Sequence, residues 1–157
     1  MAETKSKLDS YFSKHYDEKQ LVDRYRISFE TLMLTFILIF MSGTIKISYG
    51  QWATDNTEMI ILMAIPATYF IIRSIWKGAY FSIKEKTHTW TLAFSALICI
   101  LYLATIVFSI YNGEPIIENG MLSENLFPFF IMLPFLAIII TYAIKKRVSK
   151  NEEETDE

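Results

Sequence analysis

The chain has 157 residues, of which 52% are hydrophobic and 20% charged, and its formal net charge at pH 7 is −2. This length suits one domain, but a soluble domain usually carries about 25% charged residues. The composition therefore argues against an ordinary soluble domain. A single cysteine, Cys99, excludes a disulfide framework within one chain.

The first 26 residues are polar, and they are too long for the charged start of a signal peptide. Since the apolar segment after them is long enough to span a membrane, we expect no cleaved signal peptide. Residues 4–16 combine three lysines with a helically spaced set of less polar residues, namely Leu8, Tyr11, Phe12 and His15. This pattern predicts either a short basic amphipathic helix on the inner leaflet or a marginally ordered tail.

Four apolar segments follow, at about 27–47, 59–76, 90–111 and 125–144. Each is close to the roughly 20 residues that cross a hydrocarbon core about 30 Å thick. A helix of a soluble core rarely stays apolar on every face for so long. We predict an all-α integral membrane protein whose four transmembrane helices form two hairpins in a compact bundle. The expected domains are a cytoplasmic segment 1–26, a transmembrane domain 27–145 and a disordered cytoplasmic tail 146–157, basic and then acidic.

The cations of the chain lie almost entirely on one side of these spans. All fifteen Lys and Arg residues except Lys46 precede span one, lie around the end of span two or follow span four. The loops "SYGQWATDNTE" and "NGEPIIENGMLSEN" contain none. Because cytoplasmic loops are rich in Lys and Arg, we predict a multi-pass protein of the cell (plasma) membrane with both termini in the cytoplasm.

Arg73 and Lys77 end the second span, in "YFIIRSIWKGAYF". Their spacing places them on one helix face, from which long side chains can reach the headgroups. Positive charge also complements the carboxyl end of a helix. Anchoring and orientation are the favoured interpretation, and a role in a functional site is the alternative.

Two signals concern how the spans begin and whether they repeat. Asp55 and Glu58 have the spacing of a capping box at the start of span two, and Ser123 or Asn125 could cap span four. In "IPATYFIIRSIWK" and "LPFLAIIITYAIK", a proline is followed by lysine eleven residues later. Either two hairpins are related by an axis along the membrane normal, or two spans obey the same hydropathy rules.

Ionisable residues deep in a membrane usually mark ion or proton paths. The central turns of the four segments contain none, and Glu30 lies about one turn into span one. We expect Glu30 to pair with Arg26 or Arg73, the alternative being a coupling carboxylate. We expect Lys46 to lie among the carboxylates of the outer loops, whose negative charge either attracts cations or only reflects the exclusion of Lys and Arg.

No pattern of residues indicates an enzyme, a cofactor site, a metal site or a nucleic-acid interface. His15 and His88 have no second ligand cluster nearby, and no nucleotide-binding loop or nucleophile elbow occurs. Cys99 is typical of apolar packing. Hydroxyl and small residues within the spans suit close helix packing: Thr35, Ser42, Gly43, Thr44, Ala64, Ala67, Thr68, Ser95, Thr105 and Thr141.

The stretches "YDEKQLVDRYRISFE" and "GQWATDNTEMIILMAIPATYFIIRSIWKGAYF" resemble small uncharacterised four-span membrane proteins of Gram-positive bacteria, a domain family of unknown function. In that family a "DE[RK]Q"-like turn precedes the first span. Tryptophan with an acidic residue opens the second span, which ends in an "IR…KGAY"-like stretch. The likeness covers roughly residues 16–86. It implies a bacterial plasma membrane and carries over no catalytic residue.

These features favour a non-enzymatic protein of the lipid bilayer that acts by contact with another membrane or envelope component. Its role would be accessory, regulatory or of the immunity type. The alternative is a small transporter or channel subunit that works as a homo-oligomer, with a polar seam through Thr68, Ser95 and Thr105. A membrane enzyme is the third hypothesis, because no catalytic pair is visible.

Overall fold

The computed structural model describes residues 16–81 and 88–155. It contains four long helices: α1 (Glu18–Tyr49), α2 (Asp55–Trp76), α3 (Thr89–Tyr111) and α4 (Phe127–Thr155). A short antiparallel hairpin of β1 (Ile117–Glu118) and β2 (Met121–Leu122) and a 3₁₀ turn (Glu124–Leu126) connect α3 to α4. All four helices contain a segment long and apolar enough to cross a membrane, which confirms the predicted all-α fold with four spans.

Helix α1 begins at Glu18, earlier than the apolar segment predicted from residue 27. The reason is a capping box: the Asp17 carboxylate accepts a hydrogen bond from the backbone amide of Glu18 at 2.8 Å, and the side chain of Gln20 accepts from the amide of Asp17 at 3.3 Å. The polar turns before residue 27 are therefore part of the first helix. Most of the proposed amphipathic segment 4–16 lies outside the described residues.

Helix α4 continues to Thr155, beyond the predicted end of the span at 144. The disordered tail predicted from residue 146 is thus wrong for the backbone as far as Thr155. Lys, Arg and Glu, which dominate this stretch, are good helix formers, so the helix outlasts its apolar part. Hydropathy detects the end of a span and not the end of a helix.

The four helices pack in the order α1, α2, α4, α3. The two second helices of the hairpins, α2 and α4, form the centre, while α1 packs chiefly on α2 and α3 on α4. Among the described residues α1 and α3 are not close neighbours, so the helices form a row rather than a closed ring. In each helical hairpin the first helix is on the outside of the row and the second helix is in the centre. Two hairpins related by an axis along the membrane normal would give this arrangement. The internal repeat itself stays a prediction.

The helix termini gather at two opposite ends of the molecule, and these two ends differ chemically. We call the end that carries the β-hairpin the hairpin end: there the Thr54 amide donates to the carbonyl of Leu122 at 3.0 Å, and the Leu122 amide to that of Trp52 at 3.0 Å. The opposite end, which holds the start of α1 and the last turns of α2, is the basic end. The Lys145 ammonium there donates to the carbonyl of Ile75 at 2.6 Å.

Candidate functional site

Two groups of polar side chains join α1 to α2, one near the hairpin end and one near the basic end. We name them the hairpin cluster, which consists of Ser42, Lys46, Trp52, Asp55 and Glu58, and the basic cluster, which consists of Arg26, Glu30, Tyr69 and Arg73. Helix α1 is otherwise largely exposed. Its buried residues among those described are Ile27 and Ser42.

Glu58 is the centre of the hairpin cluster and is buried, with 8% of its surface exposed. Its carboxylate pairs with the Lys46 ammonium and accepts a hydrogen bond from the Ser42 hydroxyl. The Trp52 indole in turn donates to the Ser42 oxygen at 3.0 Å. A buried carboxylate requires such partners, because desolvation of an unpaired charge is costly. The cluster therefore fixes α1 against α2.

Asp55 lies at the rim of the same cluster. Its Oδ1 is 3.6 Å from the Lys46 ammonium and accepts a hydrogen bond from the Gln51 side chain at 3.2 Å. The Asp55 side chain is 87% exposed. Lys46 thus lies among carboxylates, as the sequence predicted, but both of them belong to α2 rather than to the outer loops, and Glu58 is buried.

The predicted capping box of α2 is wrong. The residue that caps α2 is Thr54, and its side chain makes no capping hydrogen bond. Glu58 is turned toward Lys46 instead, because a charged partner on α1 offers a stronger interaction than a backbone amide. Ser123 does cap, but it caps the 3₁₀ turn before α4, where its oxygen accepts from the Asn125 amide at 3.3 Å.

The basic cluster is centred on Glu30, whose two predicted partners both bind it. Glu30 Oε2 accepts hydrogen bonds from the Tyr69 hydroxyl at 2.9 Å and from Arg73 Nη2 at 3.1 Å. Its Oε1 accepts from Arg26 Nε at 3.3 Å. Arg73 thus does more than end a span, since it links two helices. Lys77 is exposed and forms the C-cap of α2.

The last turn of α2 and the residues after it are held from both neighbouring helices. The Gln20 side chain donates to the Gly78 carbonyl at 2.7 Å, and Arg24 Nη1 donates to the Ala79 carbonyl at 3.3 Å. Lys145 reaches Ile75 from α4. Helix carboxyl ends carry unsatisfied carbonyls and partial negative charge, so these donors stabilise the end of α2. The "DEKQ" and "KGAY" motifs therefore meet in the fold.

The hydroxyls of the supposed polar seam do not converge within one chain. Thr68, Ser95 and Thr105 each donate to a carbonyl of their own helix, at 2.7, 2.8 and 2.7 Å. Ser95 is buried, whereas Thr105 is exposed on α3. Among the hydroxyl residues that the sequence assigned to helix packing, Ser42 does donate to a neighbouring helix, because its partner Glu58 lies on α2. Sequence reasoning ranked it with the packing residues because its partners lie sixteen and ten residues away, at no helical spacing.

The histidine and cysteine candidates lie apart from both clusters. The His88 ring stacks on Phe81, with ring centroids 3.8 Å apart, and lies beside Tyr142. Cys99 is a free, partly buried thiol in α3. Within residues 16–81 and 88–155, no group of three His, Cys, Asp or Glu side chains is arranged to hold a metal ion. His15 lies outside that part of the chain.

Two viral proteins are similar to part of the chain. Protein P1 of Potato leafroll virus is 33% identical over 107 residues, which are 67% of this chain and 15% of the viral protein. Protein P1-P2 of the same virus shows the same identity over 107 residues, which are 9% of its length. The chain thus spans less than a sixth of either relative. No solved structure matches.

The family comparison covers most of the molecule, including both clusters and all four helices. The match extends over residues 13–157, a wider range than the motifs that suggested a resemblance. It agrees with the expectation of a domain family without assigned activity. The chain belongs to DUF6773, a family of unknown function.

Proposed function

We propose that the protein is a multi-pass protein of the cell membrane that acts without catalysis, by contact with another membrane or envelope component. Its role is accessory, regulatory or of the immunity type. The start of α1 and the end of α4 lie in the cytoplasm, and the hairpin end lies on the opposite side of the membrane.

The open row of helices is the observation that supports this proposal. Helices α1 and α3 each pack chiefly on one neighbour, and α3 exposes large apolar side chains along its length, among them Leu101, Val107 and Phe108. The interior polar groups between α1 and α2 are engaged with one another. Contact through the outer helices is therefore what this arrangement offers another protein.

The orientation is supported by the separation of charges between the two ends. The basic end carries cations on three helices, for example Arg24, Arg73 and Arg147. Of the loops at the hairpin end, neither residues 50–54 nor 112–126 contain Lys or Arg. Enrichment of Lys and Arg in cytoplasmic loops accounts for this asymmetry.

The test is purification of the tagged full chain in a mild detergent, followed by light scattering after size exclusion and identification of co-purifying proteins. A monomer that carries one stoichiometric partner supports the proposal. Exchange of exposed α3 residues, with Leu101→Ala and Phe108→Ala combined, should then reduce recovery of the partner. The matched change on α1, Phe36→Ala with Phe40→Ala, asks whether α1 contributes as well.

The second candidate is a transporter or channel subunit that functions as a homo-oligomer. It is favoured by Thr105, a hydroxyl residue exposed in the apolar middle of α3, where a second copy could cover it. A homo-oligomer without a partner protein would contradict the contact proposal and support this candidate. Flux measurements on reconstituted vesicles, with Thr105→Val as the variant, would then decide its activity.

A further inference from the structure

A groove runs along the contact between α1 and α2, from the hairpin cluster toward the middle of the row. Its volume is about 370 Å³. The charged residues Lys46, Asp55 and Glu58 line one end, and the rest of the wall is apolar apart from Thr35 at the far end. One polar end and a long apolar body are the features of a site for an amphipathic molecule.

The length of the groove fits the depth of one membrane leaflet. Lys46 and Thr35 are eleven residues apart on α1, which is about 16 Å at the helical rise of 1.5 Å per residue. This is about half of a hydrocarbon core roughly 30 Å thick. With its charged end among the headgroups, a groove of this length would lie beside the acyl chains of one leaflet and could take one acyl chain.

The apolar wall is suited to a flexible chain. It is formed by Ile39 on α1 and by Met59, Leu62 and Met63 on α2. Met59 and Met63 are 61% and 60% exposed, respectively. Unbranched methionine side chains adapt to irregular apolar surfaces, so these residues can close around an acyl chain.

The charges at the mouth select the headgroup. Lys46 contributes one positive charge, and Asp55 and Glu58 contribute two negative charges, so the group is negative overall. Glu58 is buried and already bound by Lys46 and Ser42. The exposed Asp55 carboxylate is therefore the acceptor available to a ligand ammonium, and the third donor of the Lys46 ammonium can reach a phosphate. An anionic headgroup without an amine meets net repulsion.

We propose that this groove binds one phospholipid whose headgroup joins a phosphate to a primary ammonium, as phosphatidylethanolamine does. The acyl chain lies between α1 and α2, the ammonium contacts Asp55, and the phosphate contacts Lys46. The groove lies between α1 and α2, whereas the contact surface proposed on α3, with Leu101 and Phe108, lies on another helix, so the lipid proposal and contact through α3 can each fail without the other.

The test is native mass spectrometry of the purified full chain, titrated with phosphatidylethanolamine and with phosphatidylglycerol of the same acyl chains. We expect one phosphatidylethanolamine per chain, bound roughly tenfold more tightly than phosphatidylglycerol, the factor that one charge-assisted hydrogen bond supplies. Asp55→Asn should bring the two affinities close together. Met63→Trp should fill the groove and weaken both.

Met41→Trp is the matched control, because Met41 is 53% exposed on α1 and does not line the groove. It should leave lipid binding unchanged. Equal affinity of the wild-type chain for both lipids, or an unaltered preference in Asp55→Asn, would overturn the proposal. If Met63→Trp and Met41→Trp change the lipid affinity equally, the bound lipid is only annular lipid on the outer surface, and the proposed site in the groove is wrong. Size exclusion and lipid-free thermal unfolding establish that each variant is folded.

Discussion

Arg73 on α2 and Glu30 on α1 are joined by a hydrogen-bonded ion pair, with Nη2 and Oε2 3.1 Å apart. The Tyr69 hydroxyl binds the same carboxylate oxygen, so one atom of α1 is shared by two residues of α2. Arg73, which lies where a cation can anchor the end of a span, is therefore also the interhelical partner that was expected for Glu30. Lys77, four residues further on at the C-cap of α2, provides the comparison, because it carries the same charge.

We expect Arg73→Gln to lower the unfolding temperature in detergent, since it leaves Glu30 with a weaker set of donors. Lys77→Gln should leave this temperature nearly unchanged, because the described residues place no carboxylate beside Lys77. Thermal unfolding of both variants checks the prediction. Equal losses in the two variants would mean that Arg73 acts only through its charge at the end of the span.

Ser42→Ala should destabilise the chain by about 1–2 kcal/mol, because it removes a buried hydrogen bond to a charged partner between two helices. Ser95→Ala is the matched control: Ser95 is equally buried but donates to a carbonyl of its own helix. Its effect should stay within about 0.5 kcal/mol, the scale of helix propensity. Reversible unfolding in mixed micelles measures both, and a larger loss in Ser95→Ala would contradict the assignment.

Gly78→Ala should destabilise by about 1–2 kcal/mol, because Gly78 has φ +69° and a side chain in the left-handed region is strained. The added Cβ would also lie 3.5 Å from the Lys145 ammonium, which is ordinary contact, so the backbone is the main cause. Gly43→Ala is the opposite case. Gly43 lies within α1 with no described atom within 4 Å of the new Cβ, so we expect a gain of about 0.5–1 kcal/mol. Denaturation curves should give opposite signs.

Membrane orientation is open to a direct labelling experiment. In a Cys99→Ser background, Glu118→Cys at the hairpin end should react with a membrane-impermeant maleimide in intact cells. Lys146→Cys, beyond the apolar part of α4, should react only after the membrane is opened. The reverse pattern would contradict the proposed orientation, and reaction of both variants in intact cells would contradict a common side for the two ends of the chain.

The four spans could be predicted because the length and hydropathy of a span depend only on its own residues, without any contact to the rest of the chain. The partners of Glu30 could also be predicted, since Arg26 lies four residues away and Arg73 lies at the same depth. The link between Ser42 and Glu58 could not, because it depends on the rotation of α1 against α2. The order of the helices depends on such contacts as well.

Helix ends were predicted less well than spans, for two physical reasons. At α1 a capping box extends the helix through polar residues, and at α4 good helix formers continue it past the apolar segment. The capping box expected at α2 failed because Glu58 had a stronger partner in Lys46. Local signals therefore predict an end only where no tertiary partner competes for the same side chain.

The central pair of the row is made of helices that are far apart in the chain. Ribosomal synthesis delivers α2 well before α4, so buried residues of α2 such as Ser74 and Ile75 are made before the main neighbour of this helix exists. The residues of both polar clusters, by contrast, are complete in the chain as soon as α2 has been made. The last helix to be made is thus the one that completes the centre of the molecule.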